Sequence, residues 1–297
     1  MKIIECIPNF SEGRNPEFVK SIVDSAAGIE GVKVLDFSMD SDHNRSVLTF
    51  IGSPEATLRG AVAACNRAAD LIDMRRHSGV HPRIGAVDVV PFVPLKGADM
   101  SDAVETAHRF GQIFGRKNNV PVYFYGEATL NQERKKLADI RRGQYEGLRD
   151  KIDDPTWAPD ISPGGSGFNP HLGATAVGAR KPLIAFNINL NSNDIDLARN
   201  IAGLIRYSSG GFEHVQAIGV LLESRNIAQV SMNLTDYETT SIRTVFDTVR
   251  RKAGEHGTDI LESELIGLIP KAALEDTTAD YLKLMDFSEE RIIENHY

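Results

Sequence analysis

Cysteine is nearly absent from this chain. Cys6 and Cys65, the only two in 297 residues, stand far apart and in no metal-ligand spacing, so neither a disulfide framework nor a cysteine zinc site underlies the fold. A positive surplus is lacking too. Thirty-three Lys and Arg against 41 Asp and Glu leave a formal net charge of -8, which argues against a general nucleic-acid binder, because phosphate contacts need local positive excess. No run approaches the roughly 18 to 20 uninterrupted apolar residues of a membrane helix. The start, MKIIECIPNF, is broken by Glu5 and Pro8, unlike a signal peptide.

Several chemistries are missing as well. No G-x-x-x-x-G-K-S/T phosphate loop occurs. GGSG at 164–167 lacks the flanking strand and helix of a nucleophile elbow, and His77 and His81, four apart, lack the Glu of H-E-x-x-H. These absences predict a cytoplasmic protein in a reducing compartment, with a small-molecule ligand, no metal, no nucleic acid and no membrane partner.

What is present is an ordinary globular composition, 41% hydrophobic and 25% charged, in a chain long enough for two domains. Periodicity predicts a strand near 2–8, a helix near 15–29, strands at 32–40 and 45–52, a helix from Ser53 and Pro54 to about 74, and a strand at 84–93. After about 180 the same order returns: strand, helix, two strands, helix, strand. The pattern predicts an α+β fold of two ferredoxin-like domains, each a split β-α-β unit with helices on one face of its sheet. The domains are expected at 1–178 and 179–297. Between the repeats, residues 157–175 (WAPDISPGGSGFNPHLGAT) are crowded with Gly, Pro and Ser; a linker would be less aromatic, so a binding loop is preferred.

Alternation shows what the second face of each sheet carries. Asp36, Ser38 and Asp40 oppose Leu35, Phe37 and Met39. Asn187 and Asn189 oppose Phe186 and Ile188, and Gln229, Ser231 and Asn233 oppose Val230 and Met232. A single row of this kind reads as a solvated face; three rows suggest a polar cleft for a heterocycle.

Of eight histidines, His81 stands out, in SGVHPRIGAVDVVPF at 78–92. Pro82 biases it toward extended backbone, Arg83 offers a guanidinium beside it, and a strand follows. Histidines near strand ends are common, and spacing alone does not separate a catalytic role from a bland one.

The strings ECIPNFSEGR (5–14), HSGVHPRIGAVDVVPF (77–92), PVYFYGEA (121–128), ATAVGARKPLIAFNINL (174–190) and AQVSMNL (228–234) closely resemble glutamate formiminotransferase, the transferase part of formiminotransferase-cyclodeaminase, over essentially the whole chain and without the cyclodeaminase. The resemblance implies a ligand tunnel between the two domains, tetrahydrofolate as co-substrate, no metal, a homodimer, and His81 as the catalytic acid and base. It assigns folate or substrate binding to Ser162, Pro163, Gly164, Gly165, Ser166, Gly167, Phe168, Asn169, Pro170, His171, Leu172 and Gly173. It assigns the same to Gly210, Gly211, Phe212, Glu213, His214, Val215, Gln216, Ala217, Ile218 and Gly219, although Glu213 and His214 stand where the family form is basic.

The implied activity is transfer of a formimino group between N-formimino-L-glutamate and tetrahydrofolate, in histidine degradation and one-carbon metabolism. An imidazole with an ordinary pKa of about 6.5 suits both proton removal and return. Arg83, Asp36, Asp40, Asp88, Asn187 and Asn189 are supporting candidates, Arg83 for the glutamate carboxylate, and Arg180 and Lys181 are candidate anion holders. Formyl transfer from 5-formyltetrahydrofolate to glutamate stays open as an alternative. So does a non-catalytic folate- or RNA-binding protein, for which tight RNA binding without folate binding would speak.

Overall fold

The computed structural model describes residues 1–41, 43–79, 81–162, 167–223 and 225–297. It is α+β, and its contacts divide it into two compact units, Met1–Arg180 and Lys181–Tyr297.

In the first unit, β1 (Ile4–Cys6) and β2 (Asn9–Phe10) are two pieces of one line, interrupted where Pro8 has no N–H to give. Both pair antiparallel with β4 (Arg45–Gly52) and β5 (Val87–Pro94), and β3 (Val32–Asp40) forms a hairpin with β4. Beyond β5 the sheet continues in parallel through β7 (Thr175–Ala179) to β6 (Val122–Gly126). The strand β7 lies in a segment whose Gly and Ala content masks any strand signal; its neighbours on both sides supply the pairing.

Three helices cover one face: α1 (Pro16–Ala27), α2 (Pro54–Leu71) and α3 (Met100–Asn118). Their starts are written locally. Asn15 and Ser53 accept backbone N–H groups just ahead of a proline at the first helical position, and Asp99 and Asp102 form a reciprocal capping box. Val19, Ile22, Val23 and Ala26 repeat at helical spacing and turn α1 into the core with Ile4, Cys6, Phe50 and Phe92.

Helices lie on both faces here, unlike the expectation of one. Val89, Tyr123, Tyr125 and Ala176 point away from α1–α3, and this apolar surface is covered by Ile140 of α4 (Leu137–Arg141) and Leu148 and Ile152 of α5 (Leu148–Asp153).

The second unit is a four-stranded antiparallel sheet with strands in the order β11 (Ile260–Ile266), β8 (Ile184–Leu190), β10 (Ile227–Leu234) and β9 (Val215–Leu222). Its core lies under α6 (Ile195–Ile205) and α7 (Ile242–Glu255), with Phe186, Ile188, Val230, Ile201 and Phe246 fully buried. In order of sequence the four strands sit as 4-1-3-2. The same order holds for β5, the β1–β2 line, β4 and β3 of the first unit.

Among the described residues, no helix is long and apolar enough to cross a membrane.

Candidate functional site

His81 lines a small, partly open pocket in the first unit, with Phe10, Ser11, His43, Asn44, Arg45, His77, Arg83 and Asp88. Three chain segments meet there, and side-chain amides join them. Asn44, in left-handed backbone at φ 50°, accepts from the Gly13 N–H at 3.0 Å and donates to the Ser78 carbonyl at 2.9 Å. Backbones approach closely at these joints. A Cβ on Gly13 would lie 2.2 Å from the Asp40 carbonyl oxygen, and one on Gly79 2.4 Å from that of His43.

Asp88 owes its place to a bulge. Across β2, Asn9 pairs with Val89 and Phe10 with Val87, so Asp88 is the extra residue. The bulge turns its carboxylate toward the pocket side, where it accepts the Ile84 N–H at 2.9 Å and pairs with Arg141. Asp88 is buried.

Arg45 opens β4 on the face shared with Asp36, Ser38 and Asp40, its cross-strand neighbours' row. Its guanidinium donates to the Asn9 side-chain oxygen from Nε, at 3.0 Å, and from Nη2, and its Nη1 lies against both ring nitrogens of His81, 2.8 Å from Nδ1 and closer to Nε2. An imidazole that accepts this bond is neutral. Burial, and then the Arg45 and Arg141 charges, push the His81 pKa down to about 4, with Asp88 opposing. Burial and Arg141 also lower Arg45, to about 10.

Arg83, 7% exposed, is occupied. It donates to Glu146 at 2.6 and 2.9 Å, to Gln144 at 3.2 Å and to His77 Nδ1 at 3.2 Å. With Nδ1 accepting, the His77 proton sits on Nε2, 3.0 Å from the Asn44 carbonyl. Burial lowers the His77 pKa, as does the Arg83 charge.

The other sequence candidates fall into distinct places. Asp40 accepts from the His43 backbone at 2.8 Å and contacts its Nδ1 at 2.7 Å, and the His43 ring lies 6.0 Å from that of His81. Asp36 pairs with Thr49 across the hairpin, farther along the same face. Lys181 is held by Asp236 at 2.7 Å and Glu238 at 2.9 Å, and both carboxylates raise its pKa. Arg180 hydrogen-bonds Tyr125 and lies near buried Glu5.

Pro163, Gly164, Gly165 and Ser166 lie outside the described residues. Exposed Ser162 precedes them. From Gly167 onward the loop is anchored in the first unit: Phe168 packs beside Tyr145, and Asn169 accepts the N–H groups of His171 and Leu172. Tyr145 joins this loop to the His81 strand entrance, donating its backbone N–H to the Arg83 carbonyl at 2.8 Å and its hydroxyl to the Pro170 carbonyl at 2.6 Å. Gly173, at φ 71°, leads into β7.

Residues 210–219 belong to the second unit. Gly210 and Gly211 follow α6, and Glu213 and His214 lie before β9 with their carbonyls bonded to Thr240 and Thr235. Val215 and Ala217 are core residues, and Gly219 abuts α6, whereas Gln216 and Ile218 are exposed on the other face. That face also carries Asn187 and Asn189. Asn189, fully buried, donates to Glu262 and Glu264 at 3.0 Å each and accepts from Gln229 at 2.8 Å, which spends its hydrogen bonds within the sheet.

Arg45, Asn9, Asn44, His77, Arg141 and Glu146 were not among the residues marked in the sequence. Arg45 carried a usable signal, since hairpin pairing places it on the polar face with Asp40. Arg141 and Glu146, some sixty residues downstream, carried none. Among the described residues, no group of three or more His, Cys, Asp or Glu side chains could hold a metal ion.

A neutral imidazole against a guanidinium, in a pocket with a second, anchored guanidinium, is equipped to move a proton and to hold an anion. Two family models match the chain: the formiminotransferase domain, N-terminal subdomain, over residues 3–180, and the formiminotransferase domain over residues 185–295. The chain belongs to the formiminotransferase family. It is 44% identical over 296 residues to the glutamate formimidoyltransferase of Streptococcus pyogenes serotype M1, covering 99% of this chain and 98% of that one. The glutamate formimidoyltransferase of Thermoplasma acidophilum is 42% identical over 99% of this chain and 97% of its own. The formimidoyltransferase-cyclodeaminase of Rattus norvegicus is 44% identical over 98% of this chain and 55% of its own length. Among solved structures, a microcompartment protein from Desulfitobacterium hafniense DCB aligns over 90% of this chain and 94% of its own, at 9% identity and a TM-score of 0.24, too low to relate the folds.

Proposed function

We propose that this chain transfers the formimino group between N-formimino-L-glutamate and tetrahydrofolate, with His81 moving the proton. The observation that carries this reading is the neutral His81 ring in its pocket, within a chain 44% identical over nearly full length to a glutamate formimidoyltransferase.

In the direction toward glutamate acceptance, the amine nitrogen bonds to the formimino carbon as the bond from that carbon to the folate nitrogen breaks. His81 takes the proton from the attacking nitrogen and returns it to the departing one, a contribution typically worth about 10² to 10⁴ in rate. The rest of the folate would lie along 162–173 and 210–219. Two ferredoxin-like halves, divided near 178, enclosing the folate in a tunnel, and a cytoplasmic homodimer, belong to the same proposal. The 4-1-3-2 strand order in both units supports the ferredoxin-like part.

The experiment is a donor panel. Purified protein is given 5-formimino- or 5-formyltetrahydrofolate with L-glutamate, and release of tetrahydrofolate is followed. Formimino transfer is expected to exceed formyl transfer, and His81→Ala is expected to lower it by about 10² to 10⁴. Full activity in His81→Ala removes the assigned role; absence of transfer in the wild type removes the reaction.

A further inference from the structure

The charges around His81 do not cancel. Asp88 is matched by Arg141, and Arg83 by Glu146. His43 faces Asp40, and His77 is held neutral between Arg83 and the Asn44 carbonyl. Arg45 remains. Among the described residues its hydrogen-bond partners are an amide oxygen, on Asn9, and the ring of His81, both uncharged. The Asp88 carboxylate acts on it through space without a hydrogen bond, so this partly buried guanidinium on neutral acceptors has given up hydration without gaining a bonded anion, and is poised to take one.

Arg141 adds to this. Among the described residues its Nε is a buried donor without a partner, and its charge acts on both Arg45 and His81. Arg83, the expected carboxylate holder, has its donors engaged by Glu146, Gln144 and His77.

We propose that Arg45 binds the α-carboxylate of the amino-acid substrate, and that the carboxylate, by drawing the guanidinium off the imidazole, frees His81 to accept a proton. The identity of the carboxylate rests on the function proposed above; the anion subsite rests on the geometry. The reacting nitrogen of an α-amino acid is two bonds from its carboxylate carbon. When that nitrogen is within hydrogen-bond reach of His81, its carboxylate lies beside the group already bonded to His81. A fork to a carboxylate is charge-assisted and displaces a bond to a neutral ring nitrogen.

The consequence is a base that strengthens when its substrate arrives. In the free protein the ring is masked by Arg45, and burial with two neighbouring guanidinium groups holds its pKa down at about 4. A carboxylate on Arg45 cancels one of these charges and exposes the ring nitrogen. Asp88, already bonded to Arg141, stays in place as the opposing carboxylate.

The test follows the His81 titration by NMR of the ¹⁵N-histidine-labelled protein, free and with acetate or L-glutamate as probes. In the wild type, saturating L-glutamate is expected to raise the His81 midpoint by about one pH unit or more, and acetate to do so in part. In Arg45→Gln the free midpoint is expected to be higher already and insensitive to either anion. Arg45→Lys keeps the charge but not the fork, and covers the case in which Arg45→Gln does not fold. Its midpoint is expected to stay low, with L-glutamate binding weakened about tenfold or more and the KM for the amino acid rising while that for folate does not.

An unmoved wild-type midpoint in saturating L-glutamate, or an equal shift in Arg45→Gln, overturns the inference even if transfer is observed. An acetate-dependent shift that needs Arg45, in a protein without folate-dependent transfer, upholds the anion subsite and discards the transferase reading.

Discussion

Arg83 and Glu146 form a two-armed ion pair, at 2.6 and 2.9 Å, that fastens the entrance of the His81 strand to the turn before α5. The arginine is nearly inaccessible, with a side-chain exposure of 9%, while the glutamate is 63% exposed, so the two ends of the pair are not equivalent.

That inequality gives a prediction. Arg83→Met removes a guanidinium that also holds Gln144 and His77 and is expected to cost about 1–3 kcal/mol in urea unfolding. Glu146→Ala leaves Arg83 with its other two partners and is expected to cost about 1 kcal/mol or less, as a solvent-screened pair does. Equal losses in the two variants would contradict the account.

Asp88 and Arg141 are buried together, and the bulge in β5 exists where Asp88 turns out of the strand. Asp88→Asn leaves an unmatched guanidinium against His81 and Arg45. The expected cost is about 3–5 kcal/mol, as for breaking one side of a buried pair, with a large drop in Tm as the measurement.

Gly13 lets the 11–14 loop lie against the end of the β3–β4 hairpin. A Cβ there would sit 2.2 Å from the Asp40 oxygen and 2.4 Å from the Arg45 nitrogen, both backbone atoms that cannot swing aside. Gly13→Ala is expected to cost about 1–3 kcal/mol and, because it displaces Arg45, to lower transfer activity beyond what the stability loss explains. Crystal structures and kinetics of the variant check both.

Glu5 is a buried carboxylate on β1 whose pKa burial pushes up to about 7, with Arg180 opposing. The folded state therefore holds a proton there that the unfolded chain releases above its ordinary value of 4.5. Stability from this group is fully present below that value and lost as pH rises through about 7. Glu5→Gln removes the titration, and the difference in unfolding free energy between mutant and wild type is expected to change in the mutant's favour by about 2–3 kcal/mol from pH 5 to pH 8. Parallel pH profiles would show that Glu5 titrates normally.

Much of the fold is local and was therefore readable. Asn15–Pro16, Ser53–Pro54 and Asp99 with Asp102 carry their helix starts in adjacent residues, and the alternation of Asp36, Ser38 and Asp40 places them on the face away from α1–α3, as the pairing of Asp36 with Thr49 shows. The strand β7 and the cover provided by α4 and α5 were not readable, because Thr175–Ala179 pairs with β5 and β6 from across the domain. The amide row on β8 and β10 illustrates a different limit: periodicity located Asn189 and Gln229 correctly on one face, but only the neighbouring strand β11 brought Glu262 and Glu264 to engage them.

The sequence by itself determined most of the element order, the helix caps, the polar faces, the family resemblance and His81 as the leading candidate, because each is written in neighbouring residues or a fixed period. Only the tertiary structure decided which charges around His81 are matched. Arg83 looked available from its place beside the histidine, yet its partners Gln144 and Glu146 come from sixty residues away; Arg45 looked remote, yet the hairpin sets it on the ring. Electrostatics acts through distance in space, and chain order records that distance only within a turn or a strand.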